Sequence, residues 1–510
     1  MKAEEDQLQQ LNHYSHIKKE GEQLNTRIQN KILRKLRRGI PINSEMIDEL
    51  LHDHKKKITD VDNLWNRYLG EAPIKKRELP EYAFSNEKIS NDFFSLIVNN
   101  KTGYFSGIPI NYTIDKNAYS EDGNNISEMA SLIHKSHSNT LAEFLLRNNM
   151  HDLDSEMTKI VSVCGDGVRK YYTDKQGYTR VVNLKMNEVI VLLKEHKEVE
   201  YALRFFRDYN DDDELVTHVE FYDHSGITYF IENADKKHKS KKRFVLNQEY
   251  AVNPEEHVFD FCPFVYFQNN EESMSEGVKV FSLIDAYDKV LSNNNNELNS
   301  FANSYMLFKT KDKLTEEVIR KMKVTGGLDL GKEDVVEFLT KTLSPEYGDS
   351  FMDRVEDNIF QFSESVNFND EKFGNLSGVA LKYKLQALNN KCISLEAKFK
   401  RSLTEQFKIV TSAWSKIGID INYLDVFFTF KRNLPQDLEY EANWASKMRE
   451  VLPHKSVLDR MTSVENSEYE LLEWEKEKQS SYVQLTNPNT PVEELFNMKN
   501  LEEGNANESR

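Results

Sequence analysis

The stretch GGLDLGKE at 326–333 spells G-x-x-x-x-G-K from Gly326 through Lys332, the frame in which backbone amides and one lysine cradle nucleotide phosphates. The frame breaks at the next position. A phosphate-binding loop needs Ser or Thr there to reach magnesium, whereas Glu333 sets a carboxylate beside the phosphates. The surrounding KVTGGLDLGKEDVVEFL reads better as two short strands or turns linked by a glycine loop. His134 and His137 in HKSH could share a helix face, and His52 and His54 lie close together, but neither pair has a third ligand at metal-site spacing. Both pairs read as partly exposed polar histidines. Cys164 in CGDG has no His or Asn partner identifiable by spacing, and its glycines suit a helix-ending turn before a strand. Asp211, Asp212 and Asp213 in NDDDE read as a hairpin tip, not as a nuclease pair. No catalytic constellation emerges and no cofactor or metal is expected, which moves a structural or assembly protein ahead of an enzyme.

Composition narrows the class further. With 510 residues, 39% of them apolar, the chain can build several cores. Its three cysteines, Cys164, Cys262 and Cys392, lie far apart without a C-x-x-C pair, as in a reducing compartment. The N-terminus MKAEEDQLQQ is charged where a signal peptide would be apolar, and no long uncharged apolar run exists, so neither membrane insertion nor export is expected. A formal net charge of −17 repels nucleic acid overall. Such an acidic balance ordinarily means only good solubility; it would also suit a surface past which DNA slides without sticking, a reading that needs other support.

The elements that must position any site alternate in period along the chain. Residues 1–70 read as charged helices; the basic KILRKLRR at 31–38 is a solvated helix face or an ion-pair strip between subunits, with phosphate contact as the other possibility. A helix within 86–112 passes into an extended stretch through Gly103 and Gly107, and helices follow at about 126–150 and 153–164. From 167 to 270 β-formers alternate between turns such as DKQG and DHSG, an antiparallel meander. Helices are expected at about 276–305 and 349–366, the second with Phe351, Val355, Ile359, Phe362 and Val366 on one face. Asn293, Asn294, Asn295 and Asn296 interrupt the first, although Asn competes with helical hydrogen bonds. A third helix, with Ser377 as N-cap, keeps apolar spacing from Leu381 to Trp414, about 35 residues and roughly 50 Å. A strand at 425–435, charged helices at 436–478 and a polar tail beyond Ser480, expected to be disordered, complete the chain.

The segment Phe360–Phe399, and FGNLSGVALK from Phe373 to Lys382 above all, resembles the portal proteins of tailed double-stranded DNA bacteriophages, of the type common in Gram-positive hosts. NKTGYFSGIPINY at 100–112, PFVYFQNNEES followed by SLIDAYDKVLSNNNNELNSFANSYM, and FTFKRNLPQD at 428–437 are similar to the same family in the same order, along roughly 85–480.

The resemblance implies an α+β portal fold with a mainly helical stem and crown, a long radial wing helix and an antiparallel β meander in the wing. It places the wing at 1–275, stem helices at 276–305 and 349–366, a clip at 306–348, a tunnel loop at 367–378, the long wing helix and wing strand at 379–435, and a crown at 436–480. A tail expected to be disordered, 481–510, lies beyond. It implies a ring of about twelve copies at one capsid vertex, through which double-stranded DNA is packaged and ejected non-specifically. Its further partners would be the terminase large subunit, head-completion or adaptor proteins, and the major capsid and scaffold proteins. The chain would sit in the virion after assembly in the host cytoplasm. The tunnel loop would present Asn367, Asp370, Glu371, Lys372, Phe373, Gly374, Asn375, Ser377 and Gly378 to DNA, with Lys372 as its cation and two acids keeping contacts weak. Asn293 to Asn296 would form the polar face of a stem helix, hydrated or bridging to adjacent helices. The alternative is a nucleotide-dependent DNA-translocating enzyme using the degenerate loop at 326–333.

Overall fold

A computed structural model describes residues 25–80, 85–115, 128–209, 213–233, 242–250, 252–302, 306–309, 315–317, 320, 335–338, 345–367, 383–433, 438–461, 464 and 467–485. The chain is α+β and divides into two units, 1–432 and 433–510.

The first unit opens with α1 (Arg27–Arg37) and α2 (Ser44–Tyr68), each begun by a polar side chain accepting a backbone amide: Thr26 from Gln29, and Asn43 from Met46. There follow α3 (Phe93–Ser106), β1 (Asn111–Ile114), α4 (Glu128–Arg147) and α5 (Met150–Cys164). Gly103 lies inside α3 and does not mark the entry to a strand as its sequence context suggests; the helix runs to Ser106, just before Gly107. Gly165 ends α5 with φ +90, and a Cβ there would come 2.0 Å from the carbonyl oxygen of Ser273, so the helix-ending turn read around Cys164 requires glycine.

The β region is antiparallel throughout, but it is not one meander. β2 (Asp166–Thr173) and β3 (Thr179–Leu184) form a hairpin, after which β4 (Val189–Leu193), β5 (Val199–Tyr209), β6 (Leu215–Tyr222), β7 (Gly226–Glu232) and β8 (Phe244–Leu246) build a second sheet, with the short β9 (Glu255–Glu256) on β7. β10 (Phe264–Gln268) then returns to the free edge of β2, with Phe264 opposite Lys170. Burial follows the split. β4 is buried on both faces, its Val189, Val191 and Leu193 joining the core that holds α3 and α5, and its Ile190 and Leu192 joining a separate core under α1 and α2. β4 stands where the two cores meet and pairs with β5, while β3 pairs with β2. Asp213, with φ 57, sits in the β5–β6 turn, as read for the NDDDE tip; Asp211 and Asp212 lie outside the described residues.

Beyond β10 run α6 (Phe281–Ala302), β11 (Met306–Lys309), β12 (Val335–Phe338), α7 (Pro345–Ser363), α8 (Gln386–Ser415) and β13 (Val426–Thr429). β11 pairs with β12, and β13 returns to pair with β1, Thr429 opposite Asn111. The apolar spacing of α8 corresponds to its buried face: Leu388, Cys392, Leu395, Phe399, Leu403, Phe407, Val410 and Trp414 are all buried. Its 30 residues span about 45 Å, and the expected N-cap Ser377 lies outside the described residues. Polar residues share that face. Arg169 of β2 is wholly buried, pairing with Asp154 of α5 at 2.9 Å and donating to Gln406 Oε1 of α8 at 2.9 Å, which pins the three elements together.

The second unit contains α9 (Leu438–Met448), α10 (His454–Leu458) and α11 (Ser467–Leu485). Trp474 organises it, with His454 edge-on at 4.5 Å and the Lys478 ammonium 3.8 Å above the ring. α11 continues past the expected boundary at 480 to Leu485.

Candidate functional site: a helical hairpin, its strap and its anchor

Helix α6 carries a polar stripe that explains its asparagines. Asp288 Oδ1 accepts from the backbone amide of Asn91 at 2.9 Å, Ser292 Oγ from that of Ile89 at 3.0 Å, and Asn296 Oδ1 from that of Glu87 at 2.8 Å. Four residues of helix advance about 6 Å and two residues of extended chain about 6.6 Å, so every fourth helical side chain meets every second amide of a strap at 85–91. Asn299 continues the series with bonds from Nδ2 to Ser85 and Glu87, both at 3.3 Å. Of the remaining asparagines, Asn293 Oδ1 accepts from Arg77 at 2.8 Å, Asn294 lies against Gly348 of α7, and Asn295 is half-buried. Where hydration or an adjacent helix was expected to satisfy these groups, Asn293 and Asn296 bond to upstream segments of their own chain. The missed signal was the four-residue spacing of Asp288, Ser292 and Asn296.

α6 and α7 run antiparallel, with Asn294 beside Gly348 at one end and Ile284 packing in one core with Val355 and Ile359 toward the other. Phe93 of α3 wedges beside them, edge-on to both Tyr287 and Phe360. The expected apolar face of α7 is only partly buried: Val355 and Ile359 are inside, whereas Phe351 and Phe362 are 39% and 52% exposed. A one-residue shift brings Phe360 inward instead. Glu356 has its carboxyl pushed up by burial and by neighbouring Asp353 and Asp357.

The base of the hairpin is anchored by a buried charge cluster. Glu276, just before α6, accepts from Lys101 of α3 at 2.5 Å and from Lys391 of α8 through its other oxygen. Lys391 also donates to the Ser363 carbonyl at the end of α7, at 2.5 Å, and Asn269 bridges Lys101 and Glu276. Burial would raise the Glu276 carboxyl, but Lys101 and Lys391 outweigh it and hold it at about 2. One carboxylate therefore ties together the start of α6, the end of α7, α3 and α8.

The segment joining α7 to α8 is rooted on α3 at both ends. Asn100 donates to the Val366 carbonyl at 3.0 Å, Tyr104 donates to Asn389 at 3.4 Å, and Asn367 donates to Glu356 at 3.1 Å. Asp370, Glu371, Lys372, Phe373, Gly374, Asn375, Ser377 and Gly378 lie outside the described residues, as does the loop at 326–333.

The other singled-out residues serve structure. His134 bonds through Nε2 to the Ile114 carbonyl at 3.2 Å. His54 is not a surface histidine: it is buried against the Met186 carbonyl, and burial pushes it down to about 4. Burial raises the Cys164 thiol to about 12, far from a nucleophile's range. Lys31 and Arg37 of the basic stretch pair within the chain with Glu49 and Glu200. Among the described residues no group of three or more His, Cys, Asp or Glu could hold a metal ion, and no helix is long and apolar enough to cross a membrane.

A family model described as phage portal protein, SPP1 Gp6-like, matches residues 47–482. The chain is 25% identical over 419 residues to the portal protein of Clostridium phage phiCD119, covering 78% of this chain and 87% of that one. It is 21% identical over 339 residues to the portal protein of Bacillus phage SPP1, covering 64% and 62% respectively.

Proposed function

The chain belongs to the SPP1 Gp6-like family of phage portal proteins, and from that premise we propose that about twelve copies close into a ring around a channel for double-stranded DNA at one capsid vertex. Portal proteins are structural components of the phage virion and its assembly. In this reading α6 and α7 are the stem, 306–348 the clip that docks the terminase large subunit and later the head-completion proteins, and 436–480 the crown. Residues 367–378 are the tunnel loop, with Lys372 meeting phosphates transiently. Scaffold and major capsid proteins meet the ring from outside, after synthesis in the host cytoplasm.

The family match over 47–482 carries the reading. The α6/α7 hairpin supports it physically, because a strap on one side and the Glu276 cluster at its base hold it rigid while acidic side chains such as Asp353 and Asp357 stay exposed. Exposed carboxylates let DNA pass without trapping it. This chain is proposed to perform no catalysis, with ATP hydrolysis left to the separate terminase.

Native mass spectrometry with negative-stain images of the same peak tests the ring. Closed rings of about twelve or thirteen copies with a central hole are expected. A protein that stays monomeric or dimeric even with procapsid components present overturns the channel. ATP turnover by the purified protein that disappears in Lys332→Ala would instead favour the translocating enzyme.

A further inference from the structure

A cavity of about 90 Å³ lies between the β4–β5 turn, the residues around β10 and the second half of α8. The turn passes through His196 and Lys197, both at positive φ (62 and 64), which brings the turn's lysines round to the helix. Lys194, Lys197, Arg401 and Lys408 line the cavity together with Glu198 and Glu405. With Glu200, which pairs away from the cavity with Arg37 at 2.5 Å, four cations face three carboxylates in a confined space.

Most of these charges are already matched. Glu198 is held by Lys194 at 2.6 Å and by Lys408 at 3.2 Å, and Lys197 pairs outward with Glu271 at 2.5 Å. Glu405 lies 3.6 Å from Lys408. Arg401 is different. Its Nη2 donates to Gln268 Oε1 at 3.0 Å, and no carboxylate among the described residues lies within ion-pair distance. A guanidinium has five N–H donors in a planar fork that fits a tetrahedral oxyanion or carboxylate bidentately. Half-buried, this one loses hydration, and burial pushes its pKa down because Glu271 and Glu405 act on it only from beyond ion-pair distance and do not offset that loss.

We propose that this cavity is an anion site in which Arg401 and Lys408 hold one phosphate-type oxyanion per chain. The volume suits a free phosphate or a single terminal phosphate group, and Phe261 and Cys262 form part of its wall. Binding adds the direct ion-pair partner that Arg401 lacks and bridges the β4–β5 turn to α8.

Equilibrium dialysis of the full-length protein with radiolabelled inorganic phosphate, at constant ionic strength set with chloride, tests the site. Saturable binding near one phosphate per chain is expected, weakened tenfold or more in Arg401→Met and also in Lys408→Met. Glu405→Gln removes a like charge and should tighten binding several-fold, an effect that a merely structural role would not produce. Arg401→Lys keeps the charge and guards against a variant that fails to fold. Competition with a short DNA duplex separates the sources: displacement assigns the oxyanion to backbone phosphates, and its absence assigns it to free phosphate. Non-saturating uptake, or binding unchanged in both Arg401→Met and Glu405→Gln, overturns the proposal.

Discussion

Replacing Glu276 by Gln removes the carboxylate at the centre of the hairpin anchor while keeping its shape. In the folded chain the carboxyl is held at about 2 against an ordinary 4.5, chiefly because two lysines outweigh the cost of burying it. A gap of about 2.5 pH units at about 1.4 kcal/mol each corresponds to about 3 kcal/mol. Breaking a buried pair by deleting one partner costs about 3–5 kcal/mol, since the remaining charge is stranded, and Lys101 is 1% exposed. The two routes agree on a loss of about 3 kcal/mol near neutral pH. The sign follows from a depressed carboxylate: its stabilisation is complete above about 4.5 and disappears as pH falls toward about 2. Urea unfolding followed by hydrogen exchange at the Glu276 amide, which donates to the Ser162 carbonyl at 3.0 Å, reads the effect locally. Wild type should lose protection across that acid window and the variant should not. A variant within about 1 kcal/mol of wild type at pH 7, or one with the same acid dependence, would refute the reasoning. Pairing Lys101→Met with Glu276→Leu should recover part of the loss, because the fully buried ammonium is then gone and the remaining Lys391, 20% exposed, keeps the Ser363 carbonyl and some water.

Other perturbations follow from the same structure. His54 is held neutral at about 4 by burial, so folding stability should fall by up to about 3 kcal/mol as pH drops from 6.5 to about 4, and His54→Gln should flatten that slope in denaturant titrations. Ser292→Ala leaves the Ile89 amide without its acceptor at a cost of about 1–3 kcal/mol; exchange at Ile89 should accelerate about tenfold or more while amides in α8 stay protected. Gly165→Ala forces a Cβ into the Ser273 carbonyl at φ +90, and soluble yield should collapse; a variant that melts within a few degrees of wild type would show that the turn can relax.

Periodicity in the sequence determined the long helix almost residue by residue, since Leu388 through Trp414 follow one helical stripe and a buried stripe has no other way to be written. Periodicity likewise determined the antiparallel character of 167–270, glycine chemistry the helix-ending turn at Gly165, and the resemblance of FGNLSGVALK and its companions the family. Pairing over long sequence separations was decided by the tertiary structure. That β10 returns to β2, and that β4 belongs to two cores at once, depends on which faces find partners, and an apolar run such as VIVLL reads the same in either sheet. The same holds for polar groups. Asn296 looked out of place in a helix because its partner, the amide of Glu87, lies some two hundred residues upstream, as does the Ile89 amide that Ser292 accepts. Glu276, Lys101 and Lys391 are unremarkable singly in sequence, and only the fold makes them one charge cluster, because electrostatic coupling depends on distance and burial, neither of which a linear chain encodes locally.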